Sequence, residues 1–239
     1  MNPHPSQVVL VTGAGGGLGQ ALVNTFAQRG WTVAAAGHSA LPCAPADTVW
    51  PCRLDVTQSP SCRQLVAAIL ARWGRLDALI NNAGLSLDAI LPRLDPADWD
   101  RVLDVNLKGA FLCSQAALPS MLENKSGHIL NIASFAARSG APGQAHYAAA
   151  KAGLIGLTLS LAREVGPLGV CVNAILPGVL DTPMTRSLPV SRLEAFRQQS
   201  VFGQLASVGD AAVAVEHLAR LRHVSGQIIP LDGRIAPWT

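Results

Sequence analysis

Val8-Val9-Leu10-Val11-Thr12-Gly13-Ala14-Gly15-Gly16-Gly17-Leu18-Gly19 is a short apolar run that ends at once in glycines. An unbroken apolar run bounded by a glycine turn predicts a strand buried on both faces. Residues 18–29 then place Leu18, Leu22, Val23 and Phe26 on one helical face, and Gly30 supplies a stop. Strand, glycine turn and helix in that order bring backbone N–H groups and the positive end of a helix to one point, the setting for a dinucleotide diphosphate. Leu18 breaks a strict G-x-G-x-x-G, and the Lys-Ser/Thr ending of a triphosphate-binding loop is absent. On this reading Thr12, Gly13, Gly15, Gly16, Gly17, Leu18 and Gly19 hold the cofactor. The plainer alternative is a tight glycine-rich turn.

The alternation continues outward from this stretch. Apolar runs at 32–36, 52–56, 76–80, 127–134, 170–176 and 227–231 predict further strands. Helical spacing covers 61–73, about 96–123, 147–165 and 210–221, with Asp95 as a cap and Pro96 at the first helical position. Several strands are apolar throughout. The expected fold is therefore α/β: a single-domain, Rossmann-type, doubly wound parallel sheet of about seven strands with helices on both faces. Residues 1–239 are read as one domain, with no repeat or linker.

Composition narrows the function classes. The 239 residues are 49 % hydrophobic and 14 % charged, which excludes a disordered chain and hints at surface buried between copies. The net charge of +3 is dispersed, so a nucleic-acid partner is not expected. Cys43, Cys52, Cys62, Cys113 and Cys171 form no C-x-x-C pair and are read as free thiols in a reducing compartment. The histidines lack ligand spacing, so no metal site is expected. No run approaches about 20 apolar residues, and no signal peptide begins the chain, giving an expectation of a cytoplasmic protein off the membrane.

At the end of the second predicted strand stand Gly37, His38 and Ser39. A free ribose diol favours an acidic side chain there, and none is present. His38 and Ser39 tolerate a 2′-phosphate, and Arg53 is a further cation, so NADPH/NADP is expected over NADH/NAD. A solvent-facing His38 is the alternative.

Taken with the segments that follow, the chain resembles the short-chain dehydrogenase/reductase family. Thr12 to Gly19 matches its TGxxxGxG turn and Asn81-Asn82-Ala83-Gly84 its NNAG segment. Asn106, Ser134, Tyr147 and Lys151 match its catalytic set, and Pro177-Gly178 with Thr182 the segment closing over the nicotinamide. Within the family the chain is most similar to 3-oxoacyl-[acyl-carrier-protein] reductases. The resemblance implies that Asp55 and Val56 lie against the adenine, and that Asn82, Ala83 and Gly84 line the cofactor channel. It implies that Asn82 also steadies the central strands, that Thr182 meets the carboxamide, and that Asn106 helps hold a water leading to Lys151. It further implies a homotetramer, with a dimer next, built on the helices after Asn106 and Tyr147. The chain departs from those reductases at Phe202 to Ser207, where Pro-Leu-Gly-Arg is missing, and at Arg234, where a second glycine is common.

The chemistry also follows from residue types. Tyr147 and Lys151 are four apart on a predicted helix and so share a face. Hydride delivery to a ketone builds charge on its oxygen, which a positioned proton donor relieves. An ammonium beside Tyr147 is expected to lower the phenol pKa, and Ser134 to orient the carbonyl. Tyr147 is the only tyrosine, and Lys151 one of three lysines. His146 points about 100° away from Tyr147 and is expected at the entrance or in solvent. His128, Cys113 and Cys171 are read as structural. Residues 179–209 are expected to form an irregular lid. Met184, Leu188, Leu193, Phe196, Val201, Phe202 and Leu205 offer an apolar wall there, or equally fill a static loop. Arg101, Arg138, Arg186, Arg192 and Arg197 offer a rim for an acidic acyl carrier protein.

The expected activity is NADPH-dependent reduction of a 3-oxoacyl thioester. The alternatives are oxidation or reduction of another secondary alcohol or ketone and, less favoured, a non-enzymatic nucleotide-binding protein.

Overall fold

The computed structural model describes residues 6–39, 47–186 and 188–235. Cys43 lies outside the described residues. Seven strands form one parallel sheet: β1 (Val8–Thr12), β2 (Thr32–Gly37), β3 (Val49–Arg53), β4 (Ala78–Asn81), β5 (Gly127–Ile132), β6 (Val170–Pro177) and β7 (Ile228–Leu231). Their order is β3-β2-β1-β4-β5-β6-β7. The order reverses direction between β1 and β4, and a crevice opens there beyond the carboxyl ends of the strands.

The helices between strands are α1 (Gly17–Gln28), α2 (Ser59–Trp73), α3 (Pro96–Leu103), α4 (Gly109–Glu123), α5 (Ala136–Ser139), α6 (Ala145–Val165), α7 (Pro183–Arg186), α8 (Val190–Gln199) and α9 (Val208–Leu218). Side chains of β1 divide between two cores. Val8 and Leu10 join Leu65, Ile69 and Met121 on one face, and Val9 and Val11 join Leu22, Phe26, Trp31 and Val215 on the other. That is the period-two alternation of a strand packed on both sides. Truncating one of these large side chains to alanine costs about 2–5 kcal/mol.

Three expectations are corrected. The third strand is Val49–Arg53, so Asp55 and Val56 sit in the loop after it. The long helix at 96–123 is two helices joined by a π-helical turn, Asp104–Lys108, with Asn106 buried in it. The segment 179–209, expected to be irregular, contains a regular helix, α8, with Pro189 at its N-terminal boundary.

Candidate active site

Thr12 closes β1 and fixes the glycine turn. Its hydroxyl donates to the Ile80 carbonyl at 3.2 Å and accepts from the amides of Asn82 and Ala83, each at 3.0 Å. The Asn82 side-chain amide donates to the carbonyls of Thr12 and Gly13 at 2.9 and 3.1 Å. Thr12 and Asn82 thus clasp β1 to β4 at the mouth of the crevice, and the Thr12 side chain is used up in doing so. Gly13 has φ +64°, and a Cβ there would stand 2.7 Å from Ala83 Cα. Gly19 has no room for a Cβ against the Gly13 carbonyl and Ala14.

These two contacts keep the loop flat. Gly15, Gly16 and Gly17 line its outer side, half-buried or exposed. No side chain caps α1, its first turn carries no acid, and no protein group among the described residues accepts from the amides of Gly17, Leu18 or Gly19. Unfilled amides at a helix start, with space that a Cβ would take, fit a diphosphate.

A second recess borders the ends of β2 and β3. His38, Arg53, Leu54, Asp55 and Ser61 line a cavity of about 250 Å³. Ser39 is exposed beside it. His38 Nε2 lies 4.0 Å from an Asp55 carboxylate oxygen. Hydrogen bonds from Thr57 hold the Asp55 carboxyl below its ordinary range. Val56 is buried beneath, pressed against Gly109. A larger cavity of about 430 Å³, at Leu122, Lys125 and Gly169, lies at the opposite end of the sheet from these residues.

The four expected catalytic side chains come together on the other side of the turn. Lys151 is buried, with Nζ donating to the Ile132 carbonyl at 2.8 Å and standing 5.6 Å from the Tyr147 ring centroid. Burial lowers its pKa to about 8. Tyr147 is half-buried. Burial pushes its hydroxyl above the ordinary value of 10.0, while the neighbouring Ser134 hydroxyl draws it partly back, and the Asp88 carboxylate adds to the rise. The net direction is opposite to the lowering expected from Lys151, because withdrawal from water costs each group its charged form.

Gly84 closes the group: a Cβ there would stand 3.0 Å from Asn106 Oδ1 and 3.7 Å from Lys151 Nζ. Asn106 donates to the carbonyls of Leu85 and Val102 at 2.7 and 2.9 Å, so its amide nitrogen holds the π turn together. Pro177 ends β6 and Gly178 follows it, with the Gly178 amide donating to the Leu231 carbonyl at 2.9 Å. Thr182 shares a hydroxyl–hydroxyl hydrogen bond of 2.9 Å with Thr185 at the start of α7.

Several features were not anticipated. His146 is fully buried and neither ring nitrogen has a partner, which corrects its placement at the entrance. The Asn81 amide donates to Asn131 at 2.8 Å and to Ser114 at 3.1 Å, and the Asn131 amide to Thr158 at 2.9 Å, a polar ladder beneath the site. Paired asparagines facing across neighbouring strands were its only sequence signal. Arg192 on α8 reaches Asp88 at 3.8 Å, and Gln144 donates to the same carboxylate at 2.9 Å, bridging residues 179–209 to the entrance of α6. In the expected apolar wall, Leu188, Leu193, Phe196 and Leu205 are half-buried, and Val201 and Phe202 are exposed. Arg186 and Arg197 pair with Asp181 and Glu194. Among the described residues no group of three or more His, Cys, Asp or Glu clusters for a metal, and no helix is long and apolar enough to cross a membrane.

The comparisons agree with this geometry. The pattern of the short chain dehydrogenase family matches residues 7–192. The 3-oxoacyl-[acyl-carrier-protein] reductase FabG of Thermotoga maritima is 37 % identical over 241 residues, covering 95 % of this chain and 96 % of its own. The FabG of Staphylococcus aureus strain Mu50 is 36 % identical over 235 residues, covering 94 % and 96 %. A 3-oxoacyl-[acyl-carrier-protein] reductase of Synechocystis is 36 % identical over 242 residues, with 98 % of both chains covered. A family pattern that starts at the first strand and runs into α8, with relatives aligned nearly end to end, leaves one assignment: the chain belongs to the short-chain dehydrogenase family.

Proposed function

We propose that the protein reduces 3-oxoacyl thioesters to 3-hydroxyacyl thioesters with NADPH. The observation that carries this is a buried Lys151 set against the ring of the half-buried Tyr147, with the Ser134 hydroxyl near enough to lower the phenol pKa, all beside the glycine turn. The relatives named as 3-oxoacyl-[acyl-carrier-protein] reductases support the substrate class. Bound nicotinamide supplies the hydride. The amides of Gly17, Leu18 and Gly19 receive the diphosphate, and Gly13, Gly15 and Gly16 let it approach the backbone. Asp55 and Val56 flank the adenine, while His38 and Ser39, with Arg53 opposite, receive a 2′-phosphate. Ala83 and Gly84 wall the channel beyond Asn82. Pro177, Gly178 and Thr182 cover the nicotinamide.

Ser134 orients the substrate carbonyl, and the Tyr147 hydroxyl releases its proton to that oxygen as charge develops. A raised phenol pKa keeps this proton in place at neutral pH, which suits reduction. Lys151, charged below about pH 8, stabilises the phenolate that remains and faces the ribose. Asn106 keeps the π turn open beside Lys151, leaving room for a water. Residues 179–209 form the lid, held to the entrance through Arg192, Asp88 and Gln144.

A second reading, reduction of a coenzyme A thioester or another apolar ketone, is favoured by one observation. Arg186, Arg192 and Arg197 each face a carboxylate, which leaves a weaker basic rim for an acidic carrier protein. A homotetramer is the assembly proposed, because Phe111 on α4 and Leu159 on α6 turn apolar surface outward.

Oxidation of NADPH and of NADH is followed with a 3-oxoacyl group on acyl carrier protein and on coenzyme A. NADPH-selective turnover is expected. Turnover with neither thioester while NADPH binds refutes the substrate class, and equal use of NADH refutes the role of His38 and Arg53.

A further inference from the structure

The segment after β7 reaches three parts of the active site at once. Asp232 and Arg234 pair with little exposure, 6 % and 12 % of their side chains. Arg234 Nε donates to Asp232 Oδ2 at 2.6 Å, and the Arg234 amide to Oδ1 at 3.2 Å. The guanidinium lies over the Phe135 ring, 4.0 Å from its centroid. Phe135 immediately follows Ser134 and caps α5. On its other side Asp232 fills the space beside Gly178, where a Cβ would stand 2.7 Å from Oδ1. Between them, the Gly233 carbonyl accepts from the Val201 amide at 2.8 Å, just past the end of α8.

An ion pair this shielded gives back in Coulomb attraction little more than its desolvation takes, so it is a poor device for stability alone. A planar guanidinium fixed by a carboxylate and stacked on an aromatic ring is instead a rigid prop. We propose that Arg234, held by Asp232, is a positioning residue for Ser134. It fixes Phe135, and through it sets the serine hydroxyl against Tyr147 while coupling that loop to the Pro177-Gly178 turn and the end of α8. The inference rests on the pairing of Ser134 with Tyr147 in the proposed function.

The sole tyrosine makes the test direct. Protein labelled with ¹³C at the tyrosine ring carbon bearing the hydroxyl gives one resonance, whose pH titration reports Tyr147 without any substrate. Since the neighbouring Ser134 hydroxyl lowers the Tyr147 pKa, Ser134→Ala moves the midpoint up. Arg234→Lys keeps the positive charge beside Asp232 but cannot stack as a plane, and Arg234→Gln serves if that variant folds poorly. The expected result is an upward midpoint in Arg234→Lys, with no further rise when it is combined with Ser134→Ala. A fall in kcat of about tenfold to a hundredfold should accompany it, with an unchanged dissociation constant for NADPH. A wild-type midpoint in both Arg234 variants overturns the inference. So does an unmoved midpoint in Ser134→Ala, or additive shifts in the double variant. Absence of thioester turnover in the wild type refutes the proposed substrate, while the titration still decides the role of Arg234.

Discussion

Tyr147 and Lys151 lie one helical turn apart, yet burial acts on them in opposite senses. It holds the phenol protonated and weakens the hold of the amine on its proton. In the proposed reduction both must carry their protons, so kcat/KM should fall as pH rises through about 8, where Lys151 loses its charge. A pH–rate profile with saturating NADPH checks this, and a flat profile to pH 9.5 (about 1.5 units above the Lys151 value) removes Lys151 from the charge balance. The same shift bears on stability. Between about 8 and the ordinary 10.5 the unfolded chain holds a proton that the folded chain has released. Stability therefore rises with pH across that window and is flat below it. Lys151→Met should raise the unfolding free energy at neutral pH by about 1–3 kcal/mol, the relieved burial less the lost hydrogen bond to Ile132, while turnover falls. Denaturant melts alongside rates test the pair of effects. Tyr147→Phe removes only the transferable proton, and kcat should drop by about 10²–10⁴. Retained turnover in that variant would contradict the proton-donor role, and NADPH titration should show unchanged affinity.

At the scale of elements, the glycine turn and the π turn each place backbone where a regular helix would not. Gly19 and Gly74 separate space from conformation. Gly74 caps α2 at φ +73° with nothing within 4 Å of a Cβ, whereas Gly19 is crowded by the Gly13 carbonyl. Gly74→Ala should cost about 1–2 kcal/mol of stability from the left-handed backbone and leave NADPH binding intact. Gly19→Ala should push the turn outward and weaken NADPH affinity by at least about tenfold, since about 1.4 kcal/mol of misfit suffices. Equal cofactor affinities in the two variants would show that the flat loop is not what receives the diphosphate. The π turn at Asp104–Lys108 was not visible in the hydrophobic pattern, because one extra residue in a turn leaves the flanking periodicity almost unchanged. Part of its cause lies outside the helix: the Asn106 side-chain amide bonds not only to the Val102 carbonyl of α3 but also to the Leu85 carbonyl, which only the folded loop after β4 can supply.

For the whole molecule, the reversal of strand order between β1 and β4 decides where function can sit. The glycine turn, the Asn82 clasp and the Lys151 cluster all gather at that end of the sheet. The outward faces of α4 and α6 are the remaining feature at this scale. Phe111 and Leu159, 43 % and 38 % exposed, are large apolar side chains on neighbouring helices. If they bury against a second copy, replacing both by glutamate should convert a tetramer to smaller species in light scattering, with the fold kept by circular dichroism. A wild-type protein that is monomeric at micromolar concentration would refute the assembly.

The parallel sheet, the glycine turn and the spacing of Tyr147 and Lys151 were legible in the sequence because each depends on near neighbours in the chain, whereas Ser134 joined that pair only through the family resemblance. Apolar runs, a strand–turn–helix junction and an i, i+4 pair are fixed by local geometry. What the sequence left open depends on distant partners. The direction of the Tyr147 shift follows from burial, which no local pattern reports. The buried His146, the Asn81–Asn131–Thr158 ladder and the stacking of Arg234 on Phe135 join residues tens of positions apart. Sequence alone set the elements and their chemistry. Only the tertiary structure decided which groups lose water, and that loss governs their charge and their roles.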